Sequence, residues 1–336
     1  RRFESCPRYL KRPVNRWSFI YNLILNLRKS ISFNFYFFIQ RLEKKNNHKS
    51  GFVSIIGNPN VGKSTFMNAL LGSDISIVTS KAQTTRHRIL GIVNGQNFQV
   101  IFSDTPGVIK PSYEMQNSMM NFVKEALKDA DIIIYMVTPQ DEELKDQKLL
   151  NRIKKTKSTL FVLINKIDKS TQELVEKKVN YWRSIFPTAQ VYPVSALNGF
   201  FISEVFDSII KYIPNSPAYF PKDQITDKPE RFFVNESIRK QILQRYKNEI
   251  PYSVEVITEE FKESPKIIKI SSVILVERET QKGIIIGHKG NALKQVGISA
   301  RKSLQNFFNK KIYLELHVKV SKNWRSNNQQ LKKLGY

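Results

Sequence analysis

One cysteine, Cys6, in 336 residues leaves no partner for an intrachain disulfide, so the fold must rest on its apolar core and a reducing compartment is implied. The four histidines (His48, His87, His288, His317) are scattered without metal-ligand spacing, which excludes a histidine-built metal site; each reads as a polar residue of a surface or loop. Acidic residues are scarce: 29 Asp and Glu against 54 Lys and Arg give a net charge of +25, which points to an anionic partner such as RNA, DNA or acidic lipid. No apolar run reads as a membrane span, because Arg28-Lys29 interrupts the richest stretch, Trp17 to Leu42.

The charge is uneven. Residues 1–50 hold 12 basic against 2 acidic side chains, residues 230–336 hold 21 against 10, and the middle of the chain carries only the remaining +4. No methionine precedes Met67. Residues 1–50 therefore read as a basic extension of spurious upstream translation, with Arg1 to Cys6 resembling read-through of a transfer-RNA gene and a start near Asn47. The alternative is a basic amphipathic anchor or transit peptide.

What the chain does hold is a phosphate cradle. Gly57-Asn58-Pro59-Asn60-Val61-Gly62-Lys63-Ser64-Thr65 fits G-x-x-x-x-G-K-[ST], follows the apolar run Phe52 to Ile56 and opens a helical stretch to Leu71. Backbone N–H groups converge there at a helix N-terminus, Lys63 reaches the β- and γ-phosphates, and the Ser64 hydroxyl ligates Mg²⁺. Asp104-Thr105-Pro106-Gly107-Val108 ends a second apolar run; Asp104 suits a Mg²⁺ contact through water, and Gly107 lets its amide approach a γ-phosphate. Asn165-Lys166-Ile167-Asp168 ends a third. A carboxylate at 168 pairs with guanine's N1–H and exocyclic amine and would be left unpaired by adenine. Lys166 lays its stem over the ring, Asn165 ties this loop to the phosphate loop, and Ser195-Ala196-Leu197 offers an amide to the guanine carbonyl. Between the first helix and second strand, Gln83-Thr84-Thr85-Arg86-His87 reads as a loop ordered by the γ-phosphate, with Thr85 favoured and Thr84 second to complete the Mg²⁺ shell. A basic solvated loop is the plainer reading.

Lys63, Thr85 and Gly107 are the catalytic candidates. No general base is assigned, since Val108, after Gly107, cannot orient a water; slow intrinsic turnover follows.

Strand and helix signals alternate through residues 51–213: a buried strand at 131–137, helices at 141–155, 171–185 and 199–212. This is an α/β chain with a mainly parallel sheet covered on both faces. Prolines punctuate a linker at 214–229. A second domain, 230–321, shows paired strands at 253–261 and 267–276, a third at 312–320, and Gly287-His288-Lys289-Gly290 between an apolar run and a helix. The α–β–β–α–α–β order and the G-x-x-G fit a type II KH domain clamping single-stranded RNA, with Lys294 and Arg301 adding charge. The basic tail 322–336 reads as further RNA contact or as a solvated end.

From about Gly51 to Tyr336 the strings G-N-P-N-V-G-K-S-T, K-A-Q-T-T-R-H-R (residues 81–88), D-T-P-G, N-K-I-D and G-H-K-G closely resemble the Era-like GTPases. The resemblance implies a P-loop G domain followed by a KH domain, with GTP as substrate and Mg²⁺ as cofactor. It implies a monomeric, cytoplasmic switch, peripheral on the cytoplasmic side of the membrane. Such a switch would bind the 3′ end of small-subunit ribosomal RNA and assist assembly of the 30S precursor. The family also lacks the glutamine that Val108 replaces, and residues 1–50 inherit nothing from it. Two other readings are a static RNA-binding protein with a barely hydrolysed nucleotide, and a small-molecule kinase; the guanine reader Asn165–Asp168 speaks against the kinase.

Overall fold

The computed structural model describes residues 48–141 and 146–336; the extension expected over 1–50 lies, up to residue 47, outside the described residues. β1 (Lys49–Gly57), β2 (Ile89–Asn94), β3 (Phe98–Asp104), β4 (Ile132–Val137), β5 (Thr159–Ile164) and β6 (Gln190–Pro193) form one sheet in the order β2-β3-β1-β4-β5-β6. All pairings are parallel except β2 with β3, which a short turn at Gly95 joins as a hairpin. β4 reads Ile-Ile-Ile-Tyr-Met-Val and is buried along its whole length, as a strand covered on both faces must be.

The cover comes from two sets of helices. α1 (Lys63–Leu71) and α5 (Ile202–Tyr212) pack Phe66, Met67, Leu70, Val205 and Phe206 against one face. α2 (Glu114–Asp129), α3 (Gln147–Lys154) and α4 (Gln172–Ile185) pack Met115, Met119, Leu150 and Trp182 against the other. α3 is shorter than the 141–155 span expected from periodicity, because Asp146 caps it by accepting from the amides of Lys148 and Leu149; residues 142–145 lie outside the described residues.

The proline-punctuated segment 214–229 does not hang free. Gln99 Oε1 accepts from the amides of Tyr219 and Phe220, Ile92 N donates to Ile225 O, and Gly91 bridges Thr226. The linker thus covers the outer edge of β2, which would otherwise present unpaired backbone groups.

The second domain has the predicted order: α6 (Glu230–Arg245), β7 (Glu255–Glu263), β8 (Ile267–Val276), α7 (Glu279–Ile286), α8 (Asn291–Phe308) and β9 (Lys311–Val320). β7 pairs antiparallel and β9 parallel with β8, and α6 and α8 bury Val234, Ile238, Val296 and Leu304 against the sheet.

The tail departs from expectation. It folds into a turn at Trp324–Ser326 and a short helix, α9 (Asn328–Lys333), and packs back onto the first domain. Trp324 is fully buried with Leu331 beside Met115 and Tyr135. Its indole N–H donates to Ser253 O of the second domain at 3.2 Å. Arg325 stacks 4.8 Å above the Tyr113 ring and pairs with Glu277. Only Lys322, Lys332 and Lys333 keep their charges in solvent. Among the described residues, no helix is long and apolar enough to cross a membrane.

Candidate nucleotide site and RNA interface

The carboxyl ends of β1, β3 and β5 converge on a cavity of about 450 Å³ lined by residues 59–65 with gaps, Thr79, Gln83, Thr84, Thr85, Gly107 and Lys166. Three glycines make the loops fit. A Cβ at Gly57 would lie 2.2 Å from Met136 O, and one at Gly107 would lie 2.7 Å from Pro59 Cα, so the two phosphate-side loops touch backbone to backbone. Gly62 has φ 103° and turns the loop into α1, whose first amides face the cavity. Lys63 is buried and donates to the carbonyls of Gly57 (3.2 Å) and Asn58 (3.0 Å). Burial lowers its pKa to about 8, outweighing the opposing pull of Asp104 and Asp141.

Ser64, Thr85 and Asp104 come together. Ser64 Oγ donates to Asp104 Oδ2 at 2.6 Å and lies 2.9 Å from Thr85 Oγ1, which in turn lies 3.4 Å from that carboxylate. Asp104 Oδ1 is buried with no hydrogen-bond partner, and burial pushes this carboxyl's pKa up against the opposing effects of Ser64 and Lys63. Two hydroxyls and an unsatisfied carboxylate oxygen are hard-oxygen donors of the kind Mg²⁺ prefers. Among the described residues, no group of three or more His, Cys, Asp and Glu could hold a metal. The geometry separates the two candidate threonines. Thr84's hydroxyl is taken by Thr79 Oγ1 and Lys81 O, both at 2.6 Å, while Thr85's faces Ser64.

The side chains of Thr105 and Val108 turn away from the cavity. Thr105 Oγ1 donates to Ile55 O at 2.6 Å, and Val108 is fully buried beside Met115. Only the backbone of these two residues is available to phosphate.

At the other end, Asn165 Nδ2 donates to Val61 O of the phosphate loop (2.7 Å), the tie its position suggested, and Oδ1 also accepts from Ala196 N (2.9 Å), which was not anticipated. Ser195 Oγ donates to Asp168 Oδ1 at 2.6 Å and so fixes the carboxylate. Lys166 Nζ reaches Asn60 O at 2.5 Å. Leu197 is exposed, so its contribution lies in the backbone.

Arg86 and His87 do not form a solvated loop. Arg86 is buried and donates to Val254 O (2.6 Å), Pro251 O (3.1 Å) and Glu255 (3.0 Å) of the second domain. His87 is enclosed by Phe122, Phe232 and Tyr336, the last with ring centres 4.4 Å apart, and burial lowers its pKa. His87 does lie in a loop, as expected, but half-buried against three aromatic rings rather than free on the surface. Arg239 of the second domain donates to Gln83 O and Thr84 O, Lys81 of the first domain reaches Tyr246 O of the second, and Tyr336 OH of the tail donates to Glu255 at 2.7 Å. Sequence reading missed Arg239, Glu255 and Tyr336. Most of these contacts end on backbone carbonyls, which no motif encodes.

In the second domain, Gly287 (φ 71°, ψ 179°) and Gly290 (φ 76°) shape the G-x-x-G turn ahead of α8. His288 and Lys289 at its tip are exposed. Helical spacing sets Lys294, Ile298 and Arg301 along one face of α8, where Ile298 exposes apolar surface, as Ile284 does just before the turn. This pairing of basic and apolar groups suits a nucleic-acid backbone with splayed bases.

The family model described as "50S ribosome-binding GTPase" matches residues 52–166, and that for the KH domain matches residues 249–325. GTPase Era of Clostridium kluyveri is 42% identical over 290 residues, covering 86% of this chain and 99% of its own length. GTPase Era of Staphylococcus haemolyticus is 40% identical over 291 residues, covering 86% and 97%. The crystal structure of Era in complex with MgGDPNP and nucleotides 1506-1542 of 16S ribosomal RNA superposes with a TM-score of 0.82 at 38% identity, covering 86% of this chain and 99% of that one. An Aquifex aeolicus Era variant bound to GDP·AlF4⁻ gives the same values. Matched across both domains, the chain belongs to the Era family of GTPases.

Proposed function

We propose that this GTPase is a molecular switch that binds the 3′ end of small-subunit ribosomal RNA through its KH domain, in the cytoplasm, and assists assembly of the 30S precursor. The observation that carries the reading is the position of the loop at residues 83–86. Thr85 faces Ser64 and Asp104 in the phosphate cavity, and the residues on either side of it touch the KH domain. One short segment therefore meets both the nucleotide and the RNA-binding unit.

In this reading residues 57–65 and 104–108 bind the phosphates, and Asn165, Lys166, Asp168 and the 195–197 loop read guanine. Ser64 and Thr85 hold Mg²⁺ directly and Asp104 holds it through water. Held by these residues, the ion would supply positive charge to offset the negative charge that develops on the phosphate oxygens. Lys63 leaves its two carbonyl partners to meet the β- and γ-phosphates. The amide of Gly107, whose missing side chain allows contact with Pro59, donates to the γ-phosphate. Thr85 completes the shell only when that phosphate is present. With Val108 buried, no side chain after Gly107 orients the attacking water, so turnover by the isolated chain is well under ~1 per second. Gly287 to Gly290, Lys294 and Arg301 contact RNA. The net charge of +15 on residues 51–336 also attracts acidic lipid headgroups, which supports peripheral membrane association of the monomer.

RNA affinity measured with a GTP analogue, with GDP and without nucleotide tests the switch. Tighter binding in the GTP state is expected. Equal affinities in all three would leave a static RNA-binding protein.

A further inference from the structure

The residue that fixes Thr85 lies outside the G domain. Arg239, on α6, is 1% exposed and forms a double contact with Glu236, Nε to Oε1 at 2.7 Å and Nη2 to Oε2 at 2.6 Å. Glu236 balances the buried charge and sets the plane of the guanidinium. The remaining donors then point at the G domain: Nη2 donates to Thr84 O, and Nη1 lies 3.5 Å from Gln83 O.

The Thr84 carbonyl belongs to the peptide that carries Thr85. Because a peptide unit is planar, holding that oxygen also holds the Cα of Thr85. The next residue, Arg86, is anchored to Val254 O, Pro251 O and Glu255. Thr85 is thus gripped on both sides by contacts to the KH domain, and its hydroxyl stands 2.9 Å from that of Ser64. Among the described residues of the G domain, Thr84's hydroxyl bonds to Thr79 and Lys81, within its own loop. Gln83 sits in the left-handed region at φ 58°, a conformation that costs a glutamine energy and needs outside support.

We propose that Arg239 is a positioning residue for GTP binding and hydrolysis: a KH-domain side chain that holds the Thr84–Thr85 peptide so that the Thr85 hydroxyl is ready for the metal and γ-phosphate. The preference for GTP over GDP is then a property of both domains. This inference rests on the reading of Thr85 as a metal ligand given above. Its two contacts end on carbonyl oxygens, so the side chains of residues 83 and 84 do not enter into it.

The test uses the full chain and calorimetry with Mg²⁺, comparing a non-hydrolysable GTP analogue with GDP. The variants are Thr85→Ala, Arg239→Met and the double variant Arg239→Met/Glu236→Leu, which removes the buried pair together and so avoids a lone buried charge. Arg231→Ala, on the same helix but bonded to Thr258 O and Glu259 O, is the control. The expected result is a fall of about fivefold or more in the analogue-to-GDP affinity ratio for Thr85→Ala and for both Arg239 variants, with GDP affinity kept within about twofold. A variant that is merely less stable would lose both nucleotides together, and that outcome overturns the positioning role. A ratio that falls in Thr85→Ala but stays at the wild-type value in the double variant overturns the inference alone. An unchanged ratio in Thr85→Ala overturns the reading of Thr85 and this inference with it.

Discussion

The Arg86 guanidinium lies 3.0 Å from the Glu255 carboxylate, with side-chain exposures of 1% and 8%, and this pair joins the loop before β2 to the first strand of the KH domain. Both partners are further bonded, Arg86 to two carbonyls and Glu255 to the Tyr336 hydroxyl. Burial alone would raise the Glu255 pKa, but Arg86, Arg239 and His87 hold it below the ordinary carboxyl range. Removing one partner leaves the other charge buried and unpaired. Arg86→Ala is therefore expected to cost about 3–5 kcal/mol of stability, measured by denaturant unfolding.

The same interface predicts an acid response in two steps. His87's folded pKa is lowered, chiefly by burial, so the unfolded state protonates first and stability falls as pH drops below about 6.5. Glu255's folded pKa is also lowered; its contribution is fully present above the unfolded value of about 4.3 and is lost as pH falls through the folded one. Thermal melts across pH 3–8 should show both declines, and His87→Phe should remove the upper one. An upper decline of the same size in His87→Phe would exclude His87 as its source.

Guanine selectivity should depend on Ser195 as well as Asp168. Asp168→Asn should shift preference toward xanthine, because the amide offers a donor where the carboxylate accepted one. Ser195→Ala removes the 2.6 Å bond that orients the carboxylate and should weaken guanine nucleotides while leaving xanthine disfavoured. Competition binding with the two nucleotides checks both.

The loops proposed to hold the nucleotide were legible in the sequence as strand-end motifs, and so was the order of elements. Gly57 to Ser64, Asp104, Asn165 and Asp168 carry their chemistry in side chains or in glycine-only backbone, and each follows an apolar strand. The domain contacts were not legible, because Arg86, Arg239 and Lys81 bond to carbonyls of Val254, Thr84 and Tyr246, and any residue supplies a carbonyl. The packing of the tail was not foreseen. Its lysines suggested RNA or solvent, whereas Trp324 and Leu331, on a turn and a separate short helix, are buried against the G domain. Two apolar side chains in separate short elements leave no periodic signal to read.

Gly287 should separate the two functions. Its φ of 71° and ψ of 179° suit glycine alone, and a Cβ there would lie 2.6 Å from that of Ala292 at the start of α8. Gly287→Asp adds a negative charge facing the phosphate backbone as well. RNA affinity should fall by about tenfold or more, equivalent to about 1.4 kcal/mol, while GTP affinity stays at the wild-type value. Loss of both would mean that the turn at Gly287 is coupled to the nucleotide site rather than separate from it.

Nucleotide binding should take up a proton in mildly alkaline solution. Without nucleotide, Lys63 is buried against two carbonyls with a pKa of about 8, against 10.5 for a free lysine. The folded pKa is depressed, so above about pH 8 the unfolded chain holds more protons and the stability of the nucleotide-free protein rises with pH. A triphosphate reverses this, because its charge favours the ammonium form and restores the proton. Between pH 8 and 9 GTP affinity should therefore decline toward a limit of about tenfold per pH unit, and at pH 7 the dependence should vanish. Calorimetry in two buffers of different ionisation enthalpy measures the uptake directly. Binding at pH 8.5 with no proton taken up would mean that Lys63 is already charged before the phosphates arrive, and that its burial is offset by something other than the ligand.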